Sequence, residues 1–199
     1  IQDAVRHGVE VRPVCVLASD WDYLLEPDGA LRLGLRQIKG FGQAAAEAVI
    51  AAREDGPFGG VADLVRRAGL KKNEVEALAE AGALEALVPS RREALWRARA
   101  PKLEGLFEEV ALEEEKDIGL PKMRPAEQLV LDYGRLGLSL TDHPLRHFRD
   151  RLDKQGAITT AALKDRRHGE TVRIAGLVVG RQRPATASGV TFVTVEDET

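Results

Sequence analysis

Cysteine is almost absent from this 199-residue chain. Cys15 stands alone, so neither a disulfide framework nor a cysteine-based metal site can form, and a reducing, cytoplasmic setting is expected. Excess positive charge is also missing. The formal net charge of -3 argues against a histone-like polycation, so any contact with nucleic acid must be local. No apolar run is long enough to span a bilayer and no signal peptide is visible, so no membrane partner is expected. Histidine occurs four times, as His7, His143, His147 and His168, without the spacing of a metal site or a catalytic triad. What remains, 44% hydrophobic and 31% charged residues, suits one large or two small domains with a real core.

The most informative stretch that is present is Ile38-Lys39-Gly40-Phe41-Gly42, followed by the alanine-rich run from Gln43 to Arg53. It reads as a short helix, a glycine hairpin and a second helix. Glycines on either side of one apolar residue permit positive φ angles that a Cβ disfavours, so successive amide N–H groups can converge on one point. The next helix adds its unpaired N-terminal donors and the positive end of its dipole, which suits a phosphate oxygen. Phe41 is expected to turn inward, with Lys39 and Arg36 adding charge-assisted contacts. The competing reading is a plain helix corner in which Gly40 and Gly42 only end one helix and start another.

A looser copy follows. Val61 to Ala68 has apolar residues at helical spacing, Gly69 stands where a C-terminal cap belongs, and Asn73 to Ala81 resumes a helix closed by Gly82. Leu64, Val65, Val75, Leu78, Ala79 and Leu84 are expected to share a core with Ile38, Phe41, Val49 and Ile50. Arg66, Arg67, Lys71 and Lys72 gather at this second turn, either facing a duplex backbone or simply facing solvent.

Elsewhere the pattern is more ordinary. Ile1 to His7 reads as a helix closed by Gly8. Val9, Val11, Val14 and Val16 flank Pro13 as an edge strand or extended segment. Trp21 to Glu26 and Ala30 to Leu35 form a hairpin across Pro27-Asp28-Gly29. After Pro89, Arg91 to Arg99 is a short basic helix. Residues 101–150 hold seven basic and eleven acidic side chains, and 101–125 reads as an acidic linker. Ala126 to Leu136 is helical, and His143-Pro144 opens another helix with Leu145, Phe148 and Leu152 on one face. Thr171 to Arg181 alternates as a strand. A polar loop, Gln182 to Gly189, leads to a second strand at Val190 to Val195, opening an antiparallel sheet that needs further strands. The ends read as cuts in a longer protein.

Five segments together resemble one family: Ala18-Ser19-Asp20-Trp21-Asp22, Leu33 to Gly42, Leu78 to Ala83, Leu136 to Pro144 and Ala175 to Val178. Their order and spacing are similar, over essentially the whole chain, to the C-terminal part of the bacterial C-family DNA polymerases. The Ser-Asp-Trp-Asp wording and the Arg91-to-Trp96 helix look most like the error-prone, damage-induced branch.

The resemblance implies an α+β chain in five parts. Residues 1–34 would end the fingers region and carry the β-hairpin. Residues 35–100 would form the mostly helical, tandem helix-hairpin-helix DNA-binding region, with 101–124 an acidic linker, 125–170 a helical connector, and 171–199 the incomplete start of an OB-fold. It implies duplex DNA, the primer-template, as partner, with Arg36, Lys39, Gly40, Phe41, Gly42, Arg66, Arg67, Lys71 and Lys72 on the DNA backbone. The function it implies is DNA binding for translesion synthesis and repair, in a parent DNA-directed DNA polymerase that uses Mg2+. In this segment no cofactor and no catalytic residue are expected, because the family's metal-binding palm lies upstream. Asp20 and Asp22, the tempting carboxylate pair, are then read as edging a turn. Leu106 and Phe107 sit where replicative members carry a peptide for the sliding clamp, but Leu103 stands where glutamine belongs; the error-prone branch relies on accessory translesion proteins. The loop from Arg181 to Gly189 has two arginines and no aromatic residue, a poor single-strand platform. The alternatives are a protein-interaction scaffold, and a hairpin module of a repair nuclease or helicase.

Overall fold

A computed structural model describes residues 1–99, 119–187 and 189–199, in two compact units, 1–140 and 141–199. Leu106 and Phe107 lie outside the described residues, as does most of the expected linker.

The first unit opens with helix α1 (Gln2–Arg6) and a small sheet of strands β1 (Val11–Arg12), β2 (Leu24–Leu25) and β3 (Leu31–Arg32) in the order β1-β3-β2. Strands β2 and β3 pair antiparallel across the Pro27-Asp28-Gly29 turn, as the turn residues predict, while β1 joins β3 in parallel. Gly29 takes φ 86 and its N–H donates to the Glu26 carbonyl at 2.8 Å. The paired segments are much shorter than the alternation suggests. Polar side chains take over the sheet surface: Arg12 bridges Glu26 and Asp28, and Glu26 also receives Arg32.

A 3-10 turn (Leu35–Gln37) leads through the glycine hairpin into α2 (Gln43–Glu54), followed by α3 (Val61–Ala68), α4 (Lys72–Glu80), α5 (Arg91–Arg99) and α6 (Pro125–Arg135). The second hairpin follows its sequence signals closely. Gly69 caps α3 in the left-handed conformation at φ 61, ψ 32, and Gly82 follows α4 at φ 77. Leu64, Val75, Leu78, Ala79 and Leu84 are buried with Ile38, Phe41 and Val49, as expected; Val65 packs partly buried against them and Ile50 is half-buried. Each fully buried Leu or Ile of this set contributes on the order of 1.5–3 kcal/mol by leaving water. The extended segment after β1 joins the same core through Val14 and Val16, and the Val16 N–H donates to the Ala83 carbonyl at 3.0 Å.

Two expectations change here. The helix before the glycine hairpin is only a three-residue 3-10 turn, whose first N–H groups are taken up by an earlier segment: Leu35 N–H donates to the Asp20 carbonyl and Arg36 N–H to the Trp21 carbonyl. The supposed connector is divided. Residues 125–140 pack with the hairpins, and 141–170 fold with the strands that follow.

The second unit begins with a 3-10 turn (Pro144–Phe148) that runs into α7 (Arg149–Lys154), so the single helix expected from His143 onward is split. Phe148 is exposed rather than on a shared buried face. The strand expected over 171–181 is broken at Ala175-Gly176. Its first part, β5 (Arg173–Ile174), pairs in parallel with β4 (Ala157–Ile158), and its second, β6 (Leu177–Gln182), pairs antiparallel with β7 (Phe192–Glu196). Only glycine fits at the break, since a Cβ on Gly176 would lie 2.1 Å from Val195 Cγ1 and 2.7 Å from the Glu196 carbonyl oxygen. Arg149 bridges Asp197 and Glu198, while Thr160 donates to Asp197 through both N–H and Oγ1. Burial opposes ionisation of Asp197, but bonds from Thr199 and Thr160 outweigh it and lower its pKa to about 2.

Candidate nucleic-acid interface

At the first turn, Gly40 takes φ 82 and is exposed, and Phe41 is buried beneath it at 4% exposure. Gly42 does not share the left-handed conformation. It is the extended N-cap of α2 at φ -85, ψ 157, so one glycine turns the chain and the other starts the helix. A Cβ at Gly42 would meet nothing within 4 Å, so this face of the turn is open space. Among the described residues the N–H groups of Gly40 and Gly42 have no hydrogen-bond acceptor, and no side chain caps α2.

What sets α2 apart is the chemistry of its first turn. Each of the other described α-helices carries an acidic residue there: Asp3, Asp63, Glu74, Glu93, Glu127 and Asp150. In α2 there is none. A carboxylate at a helix start takes up amide donors and cancels the positive end of the dipole, so α2 keeps both available to an external anion.

The second turn is built differently. Glu74 accepts from the Lys71 N–H at 2.7 Å, and Asp63 accepts from the Gly59 N–H at 3.1 Å. The Gly59 bond is the main reason the Asp63 carboxyl sits below its ordinary range; burial opposes it, and Arg67 and Arg66 assist. Lys71 and Lys72 are exposed, and Arg66 is exposed while paired with Asp63 at 2.5 Å. This turn offers cations on flexible stems rather than an amide cradle.

Arg67 is turned into the protein. Its guanidinium donates to the carbonyls of Ala52, Gly56 and Pro57, pairs with Asp63, and lies 4.7 Å from the centroid of the Phe58 ring. A fork-shaped donor satisfies several carbonyls at a helix end at once, which explains the inward turn. Replacing Arg67 with Met is therefore expected to lower stability by about 2 kcal/mol through orphaned carbonyls, with duplex affinity changed less than about twofold by loss of a charge outside the contact; urea unfolding and a binding titration check the two halves.

Arg36 is exposed and paired with Asp22 at 2.5 Å, an arrangement that a phosphate can compete with at little cost. Asp20, for its part, receives Arg53 Nη2 at 2.7 Å. The two carboxylates thus face separate arginines rather than a shared centre. Lys39 is exposed, and its Nζ lies 3.8 Å from where a Cβ on Gly137 would be. Sequence patterns do not reveal Arg135, which is brought to this turn from α6: its Nη1 donates to the Lys39 carbonyl at 3.1 Å.

A separate open apolar groove of about 1000 Å3 lies between α5 and α6, lined by Leu95, Trp96, Met123, Val130 and Leu131 among others. Among the described residues no helix is long and apolar enough to cross a membrane.

Comparison with known proteins gives a motif match and whole-chain relatives. Residues 8–94 match the family model described as the helix-hairpin-helix motif. The whole chain is 48% identical over 201 residues to the error-prone DNA polymerase of Dechloromonas aromatica, and 48% identical over 208 residues to that of Azoarcus sp.. It is 42% identical over 215 residues to error-prone DNA polymerase 2 of Rhizobium meliloti. In each case the chain is covered completely and spans 20% of the relative's length.

Proposed function

For a chain that matches error-prone DNA polymerases along its whole length and over a fifth of theirs, we propose the role of a duplex-gripping segment within such an enzyme. The observation that carries this reading is the acid-free, uncapped start of α2 behind the exposed Gly40-Phe41-Gly42 turn. Gly40 N–H, Gly42 N–H and the first amides of α2 bind one phosphate of the primer-template. Lys39 and Arg36 supply charge beside it. The second turn adds Lys71, Lys72 and Arg66 as looser partners for neighbouring phosphates.

Backbone contacts of this kind fix register and orientation without reading sequence. That suits an enzyme of the error-prone type, which must hold primer-template whatever the template bases, as translesion synthesis and repair demand. Nucleotidyl transfer and the Mg2+ ions it uses are assigned to other parts of the parent polymerase. The work of this segment is holding, so a variant at the turn should weaken DNA binding without touching the chemistry.

The test follows from the electrostatics of the helix start. A chain that neutralises two or three phosphates should bind duplex DNA with a log-log salt slope of about −2 to −3. Asp is a better N-cap than Gly, so Gly42→Asp should keep stability or raise it by roughly a few tenths of a kcal/mol. The same carboxylate takes up the amides and repels phosphate, so duplex affinity should fall about tenfold. Opposite signs in the two measurements support the grip; unchanged affinity in the folded variant removes the α2 cradle from the reading.

A further inference from the structure

The first hairpin is not free-standing. Its turn is held by the last turn of α6, about a hundred residues further along the chain: the side-chain bond from Arg135 to Lys39 spans 96 positions. Three links converge there. The Lys39 N–H donates to the Arg135 carbonyl at 2.9 Å, Arg135 Nη1 donates to the Lys39 carbonyl at 3.1 Å, and Gln37 Nε2 donates to the Leu136 carbonyl at 2.5 Å. Both polar groups of the Lys39 backbone are therefore held by one residue, immediately before the left-handed Gly40.

Arg135 is itself anchored. Its Nε donates to Glu80 Oε2 at 2.5 Å, near the end of α4 in the second hairpin, and the following Leu136 is buried in the core. Contact with Gly40 is close enough that a Cβ there would lie 3.3 Å from Arg135 Nη1. One side chain thus ties the turn of the first hairpin to the closing helix of the second.

We infer that Arg135 is a positioning residue for DNA binding, which holds the Lys39–Gly40 peptide so that the Gly40 and Gly42 amides stay exposed and ready for phosphate. This rests on the duplex-gripping reading above. An amide cradle binds well only when its donors are already aimed, because ordering them at the moment of binding subtracts from affinity. With its Nη1 and Nε on protein acceptors, Arg135 acts through Lys39 rather than on DNA itself.

The experiment uses the 199-residue chain with Arg135→Ala and Arg135→Gln, a labelled duplex, and amide hydrogen exchange. For Arg135→Ala, duplex affinity should fall about fivefold or more, the scale of a typical coupling between linked sites. The salt slope should stay unchanged because the number of phosphates contacted is the same. Exchange at the Lys39 amide, which is bonded to the Arg135 carbonyl, should quicken while the rest of the core stays protected. Arg135→Gln keeps a donor without the charge, so its affinity should fall between the two; it also provides the measurement should the alanine variant fail to fold. Unchanged affinity or unchanged exchange overturns the inference. A slope shallower by about 0.9 also overturns it, since Arg135 would then be a phosphate ligand. If the unsubstituted chain does not bind duplex DNA at low salt, the duplex-gripping reading falls and this inference with it; if it binds and the variants bind equally, only the inference falls.

Discussion

Gly34→Ala should destabilise the first unit by about 3 kcal/mol, the upper range for forcing atoms into a packed site. Gly34 has ordinary extended torsions, φ -78 and ψ 156, so the conformation itself does not require glycine. The space does. A Cβ there would lie 2.4 Å from the Trp21 carbonyl oxygen, 2.5 Å from the Asp22 carbonyl carbon and 2.6 Å from its oxygen. All three atoms are backbone, and this crossing also carries the bonds from Leu35 to Asp20 and from Arg36 to Trp21. Relieving the clash would separate residues 20–22, between β1 and β2, from the entry to the first hairpin. Both tryptophans, Trp21 and Trp96, belong to this unit, so urea unfolding followed by fluorescence reads the loss directly. A midpoint equal to that of the unsubstituted chain would show that the two segments separate without cost.

Asp132→Ala should cost about 3 kcal/mol, since it strips the buried one of two carboxylates from a largely buried cation and removes the acceptor of the Ser139 hydroxyl. Arg91 Nη1 meets Asp132 Oδ1 at 2.6 Å, with side-chain exposures of 13% and 7%, and Asp132 Oδ2 accepts from Ser139 Oγ at 2.7 Å. Arg91 cannot simply swing out into water. It lies over Gly82, where a Cβ would come within 2.4 Å of its Nη2, and it also holds Glu85 at 3.0 Å. Losing Asp132 therefore loosens α6 from the end of the second hairpin and from the start of α5 together. As the internal contrast, Arg124→Ala breaks a pair whose arginine is 82% exposed, and it should change stability by less than about 1 kcal/mol. Equal losses for the two variants would show that burial is not what makes the Asp132 pair matter.

If the Asp132 result holds, α6 gains a defined place. It belongs to the hairpin unit through Asp132, Arg135 and Leu136, and it brings a side chain to the turn that the proposed grip depends on. Damage to its last turn should then reach DNA binding without any DNA contact being removed.

The second hairpin is legible almost residue by residue in the amino-acid sequence. Apolar residues at helical spacing in 61–68 and 73–81, with glycines at 69 and 82, encode helices and caps through interactions within one or two turns. Burial of Ile38, Phe41, Leu64 and Leu78 follows from the same local periodicity. The positive φ of Gly40 is legible too, because only glycine takes it at no cost. The different role of Gly42 is not, since a helix N-cap and a left-handed turn both favour glycine and the sequence records only the residue.

Tertiary structure decided the rest, and the reason is range. Whether Arg67 faces DNA or the carbonyls of 52, 56 and 57 depends on where the end of α2 lies, which no local pattern states. Gly34 needs to be glycine only because the backbone of residues 21–22 crosses it, and Arg135 reaches Lys39 only because α6 folds back over the hairpin. By itself the sequence determined the helices of the second hairpin, their glycine caps and the left-handed glycine of the first turn, all products of short-range sterics and hydrophobic spacing. Only the packed fold decided which cations point outward and which distant arginine holds the turn in place, because these depend on contacts between residues that are neighbours in space alone.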